Sequence, residues 1–598
     1  MKASFLLGLL GFLCGVVNAQ NSSMPFNRQA YHIIDRLDIS SGLATPFPTA
    51  LKYYQRGEIT EYALEIDTDS SLTTLSRRDQ EDLQYLFWDN NEFLAPSLFP
   101  TPVGAPKDRR YRFIPEPTDL VKAEDTLAIQ LRSARYQSRR PLLKVFYPSR
   151  ANMIEVNRPA LNLRVNPLLN LWTGQPSEKE GWLLQNQRGL EIRGDIDERI
   201  YFVSNILESQ VRFPDYINRQ VTRDQAIPGA GFYKPYRSQV FTFEDGYDFL
   251  LAQGYVGMNV TRHVGVQFGH GRHFIGNGYR SLLLSDFSND YLYLKLNWQV
   301  WRFHLQNIFA ELALESGRQT PGDVLGGKKY MAAHYLSFQP WPNVEVGFYE
   351  AVIFQRNNQF ELQYLNPVIL YRSVEQLLGS PDNVVIGLDA KWNLWRRFQI
   401  YGQLVFDEFK FDELFLNNNQ WWGNKYGIQA GVKYIDAFGI DHLDLQVETN
   451  WVRPYTYSHF DSSAVYSNYN QPLAHPAGAN FKEYIGRLRY QPHRNWTIQL
   501  RAIRLESGED FNGSNWGGNV LLPNSTRELN EGSVIGQGIG TDILILGGEI
   551  NYQFWHNMYL ELEAFYRDKV SEDPSLSARS YYLGGGIRMN LSKRYYDF

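Results

Sequence analysis

The chain is nearly devoid of cysteine: Cys14 is the single one in 598 residues. That excludes a disulfide framework and a thiolate zinc site. Net charge is also small, -5 at pH 7, with no basic stripe of the kind a nucleic-acid polyanion demands. Beyond residue 20 no apolar run reaches the roughly twenty residues that a membrane-crossing helix needs. Heptads, glycine-rich linkers and long internal repeats are absent as well. A charged share of 21% is nevertheless too low for a disordered chain. What the sequence has in excess is aromatic: 38 Tyr, 36 Phe and 14 Trp. That excess points to β structure and to a membrane interface.

The first nineteen residues read as an export signal. Met1-Lys2 gives a short positive start, Phe5 to Val17 is apolar, and Val17-Asn18-Ala19 offers small residues for cleavage before Gln20. The apolar run is too short to span a bilayer as a helix. An exported chain without a helical anchor is either soluble or an outer-membrane β-barrel. Only helices and closed barrels satisfy every backbone polar group in lipid.

The pattern from 160 to 598 decides for the barrel. Leu443, Leu445, Val447, Thr449 and Trp451 share one face of a strand, and Asp444, Gln446, Glu448 and Asn450 share the other. The same alternation separates Phe398, Ile400, Leu404 and Phe406 from Gln399, Gln403 and Asp407, and Met558, Leu560 and Leu562 from Glu561 and Glu563. About eighteen such strands are predicted between 160 and 591. Tight turns (194–197, 341–342, 437–439, 492–493) alternate with long connections (212–246, 356–382, 453–479, 509–540). That rhythm over an even strand number is the signature of an antiparallel up-and-down transmembrane barrel, short turns toward the periplasm and long loops outside. Trp298, Trp301, Trp341, Trp392, Trp395, Trp496 and Trp555 fall beside the tight turns, as a periplasmic aromatic girdle would. Trp172, Trp182, Trp422 and Trp451 are expected to form the outer belt. Phe598 resembles a terminal aromatic signal read by the barrel assembly machinery.

Residues 20–159 differ. Gln29 to Arg36, Arg78 to Phe87 and Ala123 to Gln137 read as helical or irregular, and 94–120 is rich in proline. The expected domains are therefore a signal peptide (1–19), a partly helical periplasmic or plug region (20–159) and the barrel (160–598).

Several stretches resemble the Wzi family of capsule-assembly outer-membrane proteins and its gliding-motility relatives of the RemB type in Bacteroidetes. They are Gln267-Phe268-Gly269-His270-Gly271-Arg272, Ser281-Leu282-Leu283-Leu284-Ser285-Asp286, Asn366-Pro367-Val368, Asp382-Asn383 with Gly387-Leu388-Asp389, and Tyr401-Gly402-Gln403 with Asp407-Glu408. His475-Pro476 with Gly478 and Asn480 extends the series. The resemblance implies a plugged barrel of about eighteen strands whose outer face binds surface polysaccharide, or alternatively a gliding or adhesion component.

Sugars offer apolar CH faces and hydroxyls, so a site needs flat aromatics beside amides, carboxylates or guanidinium groups. The outer loops supply Trp421 and Trp422 beside Asn417 to Asn419, Tyr455 and Tyr457 beside Arg453, and Trp516 among asparagines. These residues are the candidate polysaccharide site; the expected partners are surface polysaccharide and outer-membrane lipid. No cofactor or metal is expected. Catalysis is not expected either. Adjacent Asp407 and Glu408 point to opposite faces of a strand and cannot pair for glycoside hydrolysis. His270 and His273 with Ser281 or Ser285 match no nucleophile or zinc spacing. A solute channel would need an open lumen, which the ionic interior argues against.

Overall fold

The computed structural model describes residues 21–68, 75–94, 146–158, 160–197, 199–316, 326–408, 412–413 and 420–598. The predicted signal segment and the predicted helix at 123–137 lie outside them. Eighteen strands close into one antiparallel barrel. They are β1 Leu161–Pro176, β2 Leu183–Ile196, β3 Ile200–Arg212, β4 Phe243–Asn259, β5 Val264–Gly271, β6 Tyr291–Val300, β7 Phe303–Ala313, β8 Lys328–Trp341 and β9 Val344–Phe354. The second half comprises β10 Asn383–Leu394, β11 Phe398–Glu408, β12 Lys425–Tyr434, β13 Leu443–Val452, β14 Phe481–His493, β15 Trp496–Glu509, β16 Ile539–Trp555, β17 Met558–Ser571 and β18 Ala578–Met589. Each strand pairs with its sequence neighbours, and β1 closes the ring by pairing with both β2 and β18 (Leu169 opposite Met589). Closure removes the sheet edges, which is what lipid requires.

Side-chain alternation follows the sequence. On β13, Val447 is 64% exposed while Glu448 is 1% exposed inside the lumen. Leu388, Ile400, Leu560 and Leu562 likewise face outward. No helix among the described residues is long and apolar enough to cross a membrane. Trp301, Trp341 and Trp395 stand exposed at the short-turn end, as the girdle reading expects. Trp172 is a correction: it points into the lumen, edge-on to Tyr582, because Gly174 and Gly584 leave room for its ring.

The N-terminal helices α1 Gln29–Ser41, α2 Arg56–Thr68 and α3 Arg77–Asp89 form their own apolar cluster and dock on the short-turn end. Helix α3 starts with a capping box, Ser76 and Asp79 each accepting from the other's backbone N–H. Ion pairs tie this plug to the barrel: Arg28 to Glu191 (2.7 Å), Asp38 to Lys391 (2.7 Å), Asp35 to Lys433 (2.6 Å) and Arg36 to Asp444 (2.5 Å). Helix α2 was not foreseen; its buried Ile59, Tyr62, Ala63 and Ile66 do follow a helical period.

Three segments depart from the simple barrel picture. The segment 272–290 between β5 and β6 folds into the lumen, with Leu282, Leu283 and Leu284 fully buried. The lumen is therefore ionic toward the plug but carries an apolar core against this loop and the loop after β13. The chain after Met589 also turns inward: Arg567 donates to the main-chain oxygen of Phe598 (3.1 Å) and Tyr216 to that of Tyr596 (2.7 Å). Phe598 thus lies outside the last strand, packed near Phe287 and Tyr216, rather than serving as a terminal strand residue.

The third departure is the loop after β9. Instead of standing away from the barrel, it folds back over the outer wall of β6 to β10, where its Tyr364, Tyr371 and Val374 bury Phe309, Tyr330, Val352, Phe354 and Val384. Glu350, an outward residue of β9, accepts from the backbone N–H of Tyr371 (2.8 Å) and Arg372 (2.9 Å), capping helix α5 Tyr371–Leu378. (Helix α4, Asp215–Asp224, lies over the lumen at the long-loop end.) Six residues above Val344, Glu350 sits roughly 15 Å along the barrel axis, given a rise of about 3.3 Å and a tilt of about 40°. Leu362, Val368 and Leu377 on the outer side of this strap are exposed and apolar, which suits contact with acyl chains. Glu350→Ala leaves two N–H groups and His334 without their acceptor, and is expected to loosen 356–382 by about 2–3 kcal/mol. Hydrogen exchange should speed up there and stay unchanged in the strands.

Candidate functional site at the long-loop end

The long-loop end of the barrel is built from the connections after β3, β11, β13 and β15. Asn480, fully buried, ties them together: its side chain donates to Gly508 O (3.0 Å) and Gln537 O (2.8 Å) and accepts from Gly536 N (2.7 Å). Asp510 accepts from the backbone of Trp516 and Asn519 in a tight turn. Gly517 carries φ of +86° under the Tyr455 backbone, where a Cβ would lie 2.5 Å from its nitrogen. Only glycine fits there.

On this frame the predicted residues converge. Arg453 donates to Asn424 O (2.8 Å), Ser533 O (3.1 Å) and Trp421 O (3.3 Å), so one guanidinium stitches three loops. Trp421 and Trp422 lie 5.7 Å apart between ring centroids, and Trp422 N donates to Asn530 O. The Arg527 guanidinium sits 4.1 Å over the Trp422 ring, a cation–π contact that sequence reading missed. Gln537 donates to Trp516 O (2.8 Å), placing Trp516 on the same platform. Trp421, Trp422 and Trp516 are all half-buried, each ring only partly covered.

Two members of the predicted set serve differently. Tyr455 is 1% exposed and donates to Asn515 O (2.8 Å); burial pushes its phenol up to about 12. Tyr457 is 1% exposed and points down the lumen to Leu282 O (2.7 Å). Both hold the loops, and neither has a free face; of the predicted set, Trp421, Trp422, Trp516 and Arg453 remain partly exposed. The asparagines 417–419 lie outside the described residues. Arg453→Ala leaves three carbonyls without their donor; a loss of about 1–3 kcal/mol in loop order is expected, read as faster protease nicking near 420–424 and 530–535.

The stretches that carried the resemblance meet inside the lumen. Gln403 accepts from Leu282 N (2.8 Å) and donates to Ile275 O (3.0 Å) and Asp389 (3.0 Å). Glu448 accepts from Tyr279 N and Arg280 N (2.6 and 3.0 Å). Gly387 lacks a side chain where a Cβ would come within 2.3 Å of Leu283. These motifs thus form the seat of the luminal loop. Neither serine there meets a histidine. The Ser281 hydroxyl donates to Ile275 O and that of Ser285 to Ala474 O, His270 points outward, and His273 meets Tyr291.

Asp407 and Glu408 need a correction. A bulge after Phe406 lets both carboxylates reach Lys425 (3.1 and 3.2 Å) instead of pointing apart. The two carboxylates share that one lysine, and Asp407 also accepts from Tyr457 N (2.8 Å). The cluster Asp436, Asp441 and His442 at a short turn is likewise occupied, since Arg36 donates to Asp436 (2.9 Å).

A closed eighteen-strand barrel with an apolar outer wall and an ionic lumen defines an outer-membrane β-barrel protein. The family model for the capsule assembly protein Wzi matches residues 185–573, well over half of the chain, and the chain belongs to that family. Among solved structures, it superposes on Escherichia coli Wzi, described as an outer-membrane protein of group 1 capsule assembly and a carbohydrate-binding β-barrel. The identity is 12%, the coverage 97% of this chain and 100% of that one, and the TM-score 0.54. Pseudomonas aeruginosa OprD also aligns, with 9% identity over 71% of this chain and 94% of that one, at a TM-score of 0.38. No curated protein sequence matches the chain. The fold is thereby that of the Wzi barrel, and the protein resides in the outer membrane.

Proposed function

We propose that this barrel binds surface polysaccharide on its long-loop face and organises it at the cell surface. The observation that carries the reading is the convergence of Trp421, Trp422, Trp516 and Arg453 on one loop platform, with Arg527 stacked on Trp422. Indole faces pack against the CH faces of pyranose rings, while nearby donors meet hydroxyls. That E. coli Wzi binds carbohydrate supports the reading. The barrel acts as a scaffold here, without covalent chemistry.

Trp421→Ala/Trp422→Ala is the test. Purified capsular polysaccharide is expected to bind this variant at least about ten-fold more weakly, a loss of about 1.4 kcal/mol, and cells carrying it should shed polysaccharide into the medium. Undiminished retention, with the barrel still heat-modifiable on gels, would remove the pair from the site. In planar bilayers the protein is expected to be silent, because the core around Leu282 to Leu284 and the N-terminal helices leave no continuous path through the lumen. Large conductance steps would favour a channel.

A further inference from the structure

A chamber of about 540 Å³ lies inside the barrel, between the plug, the luminal loop and the inturned residues after Met589. Its walls are charged, but the charges do not cancel. Lys52, Lys295, Arg487, Arg489 and Arg594 line it without any carboxylate at ion-pair distance among the described residues. Among the lining carboxylates Asp286 alone lacks a cation; the others each bind an arginine or lysine. Lys52 and Lys295 are buried and the three arginines half-buried, and an excess of positive charge held this far from bulk water is costly unless an anion answers it. The protein as a whole is acidic, so the excess is local.

Two further observations point the same way. Asn277, 2% exposed and lining the chamber, has neither its amide nitrogen nor its oxygen hydrogen-bonded within the protein. Buried amides are normally satisfied, and both a donor and an acceptor here await a partner. Tyr53, also on the wall, holds the left-handed φ of +68°, strained for a residue with a side chain. Strain of this type persists where the surroundings enforce a functional placement.

We propose that the chamber binds an acidic saccharide, a sugar of one or two rings bearing a carboxylate or phosphate. The uncompensated lysines and arginines take the charge, the Asn277 amide takes a pair of hydroxyls, and Tyr53 offers an aromatic wall. The volume lies within the ordinary range for a small-ligand site. This site is separate from the loop platform and does not depend on it.

The test is calorimetric titration of the full chain in detergent with D-glucuronate, glucose and inorganic phosphate at matched ionic strength. It is made in the Trp421→Ala/Trp422→Ala background, so that the loops do not contribute. Glucuronate is expected to bind, glucose not, and phosphate more weakly than glucuronate. Lys295→Gln/Arg489→Gln should weaken glucuronate at least about ten-fold. The same substitutions should raise the thermal midpoint without ligand, because they remove unanswered charge. Absence of glucuronate binding, affinity unchanged in the double variant, or phosphate binding as tightly as glucuronate would overturn the proposal; the last outcome would mean a free-anion site.

Discussion

Arg36→Ala will detach the N-terminal helices from the barrel. Arg36 is 2% exposed and reaches Asp444 at 2.5 Å and Asp436 at 2.9 Å, with Asp79 at 3.6 Å. Removing it leaves several carboxylates facing one another without their cation. Breaking a buried pair from one side costs about 3–5 kcal/mol, a large share of what holds a docked segment. Limited trypsin digestion should then cut within 21–94 of the variant while the barrel stays resistant and heat-modifiable. Protection equal to the wild type would mean that the other ion pairs suffice.

The same interface has a defined pH dependence through Asp89 at the end of α3. Burial alone would push its carboxyl up, but Arg56 and His556 outweigh that and hold it well below the usual carboxylate range. A depressed value in the folded state means that the contribution is present above the unfolded value of about 3.9 and is lost as pH falls through the folded one. The Asp89 contribution to docking should therefore be constant near neutrality and be lost only in strong acid.

The second large effect is expected on the opposite surface. Val447→Arg places a guanidinium on the outer face of β13, midway between the two ends of the strand. For a lipid-facing site near the midplane the cost is about 2–4 kcal/mol, falling to about 0–1 at the interfaces. Phe438→Arg, at the short turn, should cost little. Folding titrations into lipid vesicles measure both, and equal costs would mean that Val447 does not face lipid.

Much of the barrel was legible because period-two alternation leaves a local trace: Val447 and Glu448, one residue apart, declare opposite environments. The strand count followed from turns such as Ala437 to Gly439, where chemistry is also local. What stayed hidden was non-local. Nothing near Leu282 to Leu284 says that an apolar run between two strands fills a lumen, since its partners Gln403 and Glu448 lie more than a hundred residues away in sequence. The strap over β6 to β10 was equally silent: its anchors on the outer wall, Glu350 and Asn307 (which donates to Pro367 O at 2.9 Å), meet partners in a loop that carries no local pattern of its own. For the proposed loop site, composition pointed to Trp421, Trp422 and Trp516 as candidates. It could not distinguish them from Tyr455 and Tyr457, because burial in a loop depends on what the other loops bring. Arg527 was missed for the same reason.

Labelling cysteines in living cells tests most directly which end of the cylinder meets the world. In a Cys14→Ser background, Asn512→Cys sits on an exposed loop and Phe438→Cys on an exposed short turn at the opposite end. A membrane-impermeant maleimide applied to intact cells should modify position 512 at once and position 438 only after the outer membrane is permeabilised. Equal labelling of both in intact cells, or labelling of 438 alone, would contradict a barrel that shows its aromatic loops to the outside.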